Sequence, residues 1–209
     1  MVVVITVAQQ KGGTGKTTLA ANIAAAFAPS RRVALLDVDP QKSLRRWHSL
    51  RRERLEQAAA LAFCDVSGWR LPAELERLKR DHDMVLIDSP PQLDTDARVA
   101  IRAADIVLVP IQPSLPDVWA AESTLRLAAD ERRQAHLMFN RTPPASKLRD
   151  AITADVTGRR LPLLRSTLGN RAGFAHAFAA GLGVTEAAPR STAAAELRAL
   201  LAELQELTG

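Results

Sequence analysis

The chain has 209 residues, 47% of them hydrophobic, which is enough apolar surface for burial to offset chain entropy in one domain of ordinary size. No apolar run approaches the roughly 18 residues needed to span a membrane. The apolar start lacks a basic leader and a cleavage site, and a lone Cys64 excludes an intramolecular disulfide, so a cytosolic setting is expected. The net charge of +5 and the pI of about 10.1, with arginine prominent in the surplus, hint at a polyanionic partner.

Apolar β-rich runs alternate with helical stretches along the chain. A strand over 2–8 leads into a helix over 17–28. Then come a strand over 33–37, a helix over 43–60, a strand over 61–66 and a helix over 71–81. A strand over 84–88 is followed by a helix over 95–103, and a strand over 106–111 by a helix over 117–131. The last strands are expected over 136–140 and 161–165, with helices over 146–157, 171–180 and 192–207. Strands apolar at successive positions are buried on both faces, which implies a parallel sheet covered by helices. Strict β-α alternation points the same way. The expectation is one α/β domain over 1–209, doubly wound, with a mostly parallel sheet of about seven strands flanked by helices. Ligands in such folds sit at the carboxyl ends of the strands.

The first strand runs into Gln9-Gln10-Lys11-Gly12-Gly13-Thr14-Gly15-Lys16-Thr17-Thr18, and a helix follows. Glycines let backbone N–H groups turn toward phosphates, and the helix N-terminus adds its positive end. Lys16 is placed to reach β- and γ-phosphates, and the Thr17 hydroxyl to ligate magnesium. The layout predicts a nucleoside triphosphate, ATP with Mg2+, held by the segment from Lys11 to Thr18. Strand two ends in Asp37-Val38-Asp39-Pro40-Gln41; acids at alternate strand positions point to one side and can both face phosphates and metal. Strand four ends in Ile87-Asp88, a carboxylate suited to hold magnesium through water, although strand-end acids also serve as helix caps.

The loop has Gln10 where the common phosphate-loop pattern has glycine, and it carries a second lysine, Lys11. Lys-Gly-Gly-x-Gly-Lys-Thr resembles the deviant Walker motif of the ParA/MinD family of P-loop ATPases. The resemblance covers most of the chain, including Asp-x-Asp-Pro-Gln and the stretch from Pro110 to Ala120. It implies that Lys11 reaches across a dimer interface to the partner's nucleotide, where a cation stabilises charge on the transferring phosphoryl group. It further implies that Asp39 positions the attacking water, that Asp37 lies in the magnesium shell, and that Ser89-Pro90-Pro91 is a switch loop. Asn140 and Arg141 match the place where relatives contact the base, while Asp117 either caps a helix or takes part in chemistry.

Composition separates the relatives. One cysteine cannot supply the two per subunit of nitrogenase iron proteins, and the absence of tyrosine removes the tyrosine kinases of this fold. A basic amphipathic C-terminal helix is what MinD uses at membranes, but the last helix here sets Glu196, Glu203 and Glu206 against Arg198, so direct membrane binding is not expected. The remaining surface is DNA. From Arg141 to Arg190 there are eight basic residues against three acids, an excess equal to the whole net charge. Arg165 and Arg171, expected to flank a turn over 166–170 away from the phosphate loop, with Arg159, Arg160 and Lys147, are the candidate DNA contacts. A second basic run, from Lys42 to Arg54, is a candidate partner or dimer face, with Trp47 packing rather than stacking on bases. The expectation is a small ParA-like ATPase, cytoplasmic and nucleoid-associated. ATP closes a sandwich dimer that binds DNA nonspecifically, and a ParB-like or other adaptor stimulates hydrolysis. The cargo positioned is a plasmid, a chromosome or a protein complex. The alternatives are a MinD-like membrane-associated positioning ATPase and an ATP-dependent metabolic ligase.

Overall fold

The computed structural model describes residues 2–54, 59–92, 94–144 and 147–209. Seven strands form one sheet: β1 (Val3–Val7), β2 (Val33–Asp37), β3 (Ala62–Asp65), β4 (Met84–Asp88), β5 (Ile106–Ile111), β6 (Gln134–Thr142) and β7 (Leu163–Gly169). They lie in the order β3-β2-β4-β1-β5-β6-β7, and every pairing is parallel. Parallel pairing demands a crossover between strands. These are α1 (Lys16–Phe27), α2 (Ser43–Arg52), α3 (Leu71–Asp81), α4 (Thr95–Ala103), α5 (Leu115–Asp130) and α6 (Lys147–Gly158). The chain ends in α7 (Ala172–Ala179), a short α8 (Val184–Ala187) and α9 (Thr192–Thr208).

Successive strand side chains point to opposite faces, and the core divides accordingly. Ile5 and Val7 of β1 join Leu35, Leu86, Leu108 and Met138 in the layer under α1 and α9. Val4 faces the other way, with Ala34, Leu36 and Val85 against α3 and α4. Val107, Val109 and Ile111 pack under α5 and α6. Helix α1 is Ala-rich and buried on most of its surface, which follows from its place between the sheet and the C-terminal helices. The central strand β1 has β4 on one side and β5 on the other, so the crevice at its carboxyl end is the switch point of the fold.

Strands β2, β4 and β5 have the bounds expected from their unbroken apolar runs. Two expectations need correction. The helix over 43–60 stops at Arg52; Ala59 and Ala60 are not helical, and the segment between lies partly outside the described residues. Of the helix over 146–157, Ser146 lies outside the described residues, and α6 runs over Lys147–Gly158. The turn over 166–170 does not exist, because Ser166 to Gly169 complete β7 and pair with β6 through Thr167–Phe139 and Gly169–Thr142. An edge strand buries only alternate positions, here Leu164 and Leu168, so its apolar signal is thin.

That edge is covered by α9. The Glu203 carboxylate accepts the Arg165 and Ser166 amides, both at 2.8 Å, and Glu196 accepts the Gly169 amide at 3.0 Å. Acids that sequence reasoning set against anionic lipid are thus engaged in satisfying the free amides of β7, a barrier to edge-to-edge pairing.

Candidate nucleotide site

Gly15 N-caps α1 at φ 89°, a left-handed conformation open to glycine at little cost. A Cβ there would stand 2.7 Å from Asn140 Nδ2. The approach is that close because Asn140, at the end of β6, donates to the Thr14 carbonyl at 2.7 Å, and Arg141 donates to the Gly13 carbonyl at 3.0 Å. The two residues expected at the base thus hold the loop through its carbonyls. Thr14 is buried, whereas Lys11, Gly12 and Gly13 are exposed.

Lys16 lies inside the cleft, 7% exposed, and burial holds its pKa below the ordinary lysine value against the raising influence of Asp88 and Asp39. The cleft, about 310 Å³, is lined by Gly13, Lys16, Thr17, Thr18, Asp39 and Arg141 among others. The loop lysine, the helix hydroxyls and Asp39 are thus gathered at one place, as expected.

The carboxylates differ in their partners. Asp37 is fully buried, and its two oxygens accept the Asp39 amide at 3.2 Å and the Arg45 amide at 3.0 Å, the latter in the first turn of α2. Desolvation raises its pKa to about 6 despite those bonds. Asp37 is therefore a cap for α2 in this conformation. Asp88 is also fully buried, but neither of its oxygens has a hydrogen bond of normal geometry. Burial drives its pKa to about 7, with the Thr17 hydroxyl and Lys16 pulling the other way. An orphaned buried carboxylate beside a threonine hydroxyl fits a divalent cation. Mg2+ needs few protein ligands, since it keeps water and phosphate in its shell.

A second pocket, about 160 Å³, extends from Gly15, Thr18 and Asn22 of the α1 region across to Asn140, Phe174 and Arg171. It is contiguous with the phosphate loop through Gly15, and its mixed lining of amide, aromatic and arginine groups suits a flat heterocycle. Asn22, Asn170 and Phe174 were not singled out from sequence. A buried Asn inside the Ala-rich α1 was the available signal, and its carboxamide oxygen accepts the Val184 amide at 2.8 Å. Arg171 corrects an expectation: it lines this pocket instead of standing clear of the nucleotide loop.

The basic face is more neutral than counting along the chain implies. Arg165 pairs with Glu203 and Glu206, Arg171 with Glu196, and Arg159 with Glu122 and Asp155. Four of those acids come from α5 and α9, outside the segment counted. Arg160 and Lys147 are exposed. A groove of about 640 Å³ between α6 and β7 is bordered by Arg149, Arg160 and Arg165.

Comparison with known proteins agrees with this arrangement. The chain is 30% identical over 199 residues to maintenance of carboxysome distribution protein A from Halothiobacillus neapolitanus, covering 92% of this chain and 91% of the relative. Apo McdA of Cyanthece superposes with a TM-score of 0.81 at 19% identity, with both chains fully covered. The cell division ATPase MinD of Pyrococcus furiosus gives 0.80 at 21% identity, covering 99% of this chain and all of the other. A family model, the CobQ/CobB/MinD/ParA nucleotide binding domain, matches residues 5–206. With that model spanning nearly the whole chain and the phosphate loop, the orphaned Asp88 and the central switch point in place, the chain belongs to the CobQ/CobB/MinD/ParA nucleotide-binding family.

Proposed function

We propose that this protein is a ParA-like ATPase that hydrolyses ATP with Mg2+, closes into a sandwich dimer when ATP is bound, and positions a cargo by holding DNA nonspecifically until a partner protein triggers hydrolysis. The observation that carries the reading is the unequal placing of two loop lysines. Lys16 is inside the cleft at 7% exposure, while the Lys11 side chain stands outside it at 42% exposure, where a second subunit could be reached. Similarity along nine-tenths of the chain to a carboxysome-distribution protein supports a positioning role.

In this reading the loop amides and Lys16 grip the β- and γ-phosphates. Thr17 and Asp88 hold Mg2+, which supplies charge neutralisation on the phosphates. Asp39, 8% exposed at the cleft wall, orients the attacking water. Asn140 and Arg141 keep the loop closed beneath the base, and Arg171 covers the base pocket. Lys11 from the opposing subunit meets charge developing on the transferred group, so turnover requires the dimer. DNA is held by phosphate contacts along α6 and β7, with Lys147 and Arg160 exposed; Arg159 and Arg165 contribute as they exchange carboxylate partners for phosphate. Two such faces aligned in a dimer span more phosphates than one.

Filter binding of duplex DNA with ADP, ATP or a slowly hydrolysed analogue, at two salt concentrations, tests the reading. Retention only with ATP or the analogue, falling by about 0.9 in log affinity per log unit of salt for each phosphate contact, is expected. Equal retention with ADP removes the switch, and none with the analogue at low salt removes DNA as the partner.

A further inference from the structure

Lys11 does not float free. Its Nζ lies 2.5 Å from Asp117 Oδ2, a contact that closes over 106 residues of sequence and ties the phosphate loop to the first turn of α5. The Asp117 residue is 1% exposed, which makes it unusual for a carboxylate outside the cleft. Its other bonds are local. The Ser114 hydroxyl donates to Oδ2 at 2.5 Å, and the Gln112 amide donates to Oδ1 at 3.2 Å. Ser114 in turn caps α5 by accepting the Asp117 amide.

We propose that Asp117 is a resting dock for Lys11: it holds the lysine against its own chain, and the lysine must leave this dock before it can serve the nucleotide of a second subunit. The inference rests on the trans role of Lys11 set out above and assigns Asp117 as its positioning residue. Two features make the contact reversible. When the lysine departs, the buried carboxylate keeps two hydrogen bonds and the positive end of α5, which offset part of the charge left inside. The ammonium, on a side chain 42% exposed, exchanges its carboxylate for water or phosphate at little cost. The Arg51–Glu186 pair shows the opposite design, with the guanidinium buried and no solvent to receive it. A dock with these properties raises the threshold for assembly: it keeps isolated subunits from turning over and yields once nucleotide offers a stronger anion.

The test compares wild type, Asp117→Asn, Lys11→Gln and the double variant by sedimentation with a slowly hydrolysed ATP analogue and by ATPase rate against protein concentration. Asp117→Asn is expected to lower the concentration for half-maximal dimer and for half-maximal turnover by about fivefold. Combined with Lys11→Gln, the same substitution is expected to have no effect on assembly, since the dock acts only through the lysine. If Asp117→Asn matches wild type or needs more protein while Lys11→Gln is inactive, the dock is wrong and the trans role stands. A shift of equal size in the Lys11→Gln background makes Asp117 a structural cap and overturns the dock. A wild-type hydrolysis rate in Lys11→Gln instead overturns the trans role itself. Should the Asn variant fail to fold, Asp117→Ser keeps a hydroxyl in the first turn of α5 and carries the same expectations.

Discussion

The buried pair between α2 and α8 gives a sharp test of the packing that supports the site. Arg51 is 1% exposed, and its two terminal nitrogens meet the Glu186 carboxylate at 2.8 and 2.7 Å. It also donates to the Ala59 carbonyl at 2.7 Å and lies 5.4 Å from the centre of the Trp47 ring. Glu186→Gln keeps the shape but leaves the guanidinium buried with carbonyls alone. Breaking one side of such a pair costs about 3–5 kcal/mol. For a chain of this size each kcal/mol moves the melting temperature by about 2–4 °C, so a fall of roughly 6–20 °C is expected. Replacing both partners with apolar residues, Arg51→Met with Glu186→Leu, is expected to recover most of the loss, because the desolvation penalty disappears with the charges. Thermal melting and urea titration read both variants. A Glu186→Gln protein within about 1 kcal/mol of wild type would show that solvent reaches Arg51 and would refute the argument.

Three further outcomes follow from the site and its frame. Gly15→Ala, forced into a left-handed conformation with its Cβ 2.7 Å from the Asn140 side-chain nitrogen, is expected to weaken ATP binding about tenfold or more; unchanged affinity by calorimetry would contradict the loop geometry. Arg171→Ala is expected to weaken binding of a fluorescent adenine nucleotide about threefold to tenfold, whereas unaltered affinity would leave the pocket beside Gly15 without a role in base binding. Glu131, bonded to Arg98 and Arg102 of α4, has its carboxyl held down to about 2, first by the Arg102 hydrogen bond. A depressed carboxylate stabilises the fold above its ordinary value near 4.5 and loses that contribution as pH falls toward 2. Glu131→Gln should therefore flatten the decline of melting temperature between pH 4.5 and 2, and an unchanged slope would count against the pair.

The centre of the molecule is legible in the sequence because its physics is local. Val33 to Asp37, Met84 to Asp88 and Ile106 to Ile111 are buried on both faces and read as unbroken apolar runs, and the loop from Lys11 to Thr18 writes its chemistry in consecutive residues. What escaped was set by contacts far apart along the chain. The polar half of β7, Arg165 to Thr167, resembles a turn until Glu203 is seen accepting its amides. The arginines look like a free basic patch until Glu122, Glu196 and Glu206 are brought beside them by α5 and α9. Asp117 could be named as a cap or a chemical group, but nothing near it in sequence reveals Lys11 as its partner.

The proposed mechanism gives the two lysines of one loop different tasks, and paired measurements of nucleotide affinity and hydrolysis in Lys16→Ala and Lys11→Ala test that division most directly. Losing the direct phosphate contact of Lys16 is worth about 1.5–3 kcal/mol, so Lys16→Ala should bind ATP at least tenfold more weakly. Lys11→Ala should retain measurable affinity and lose turnover at every protein concentration. A Lys11→Ala protein that hydrolyses ATP at the wild-type rate would contradict the division of labour and, with it, the dimer-dependent mechanism.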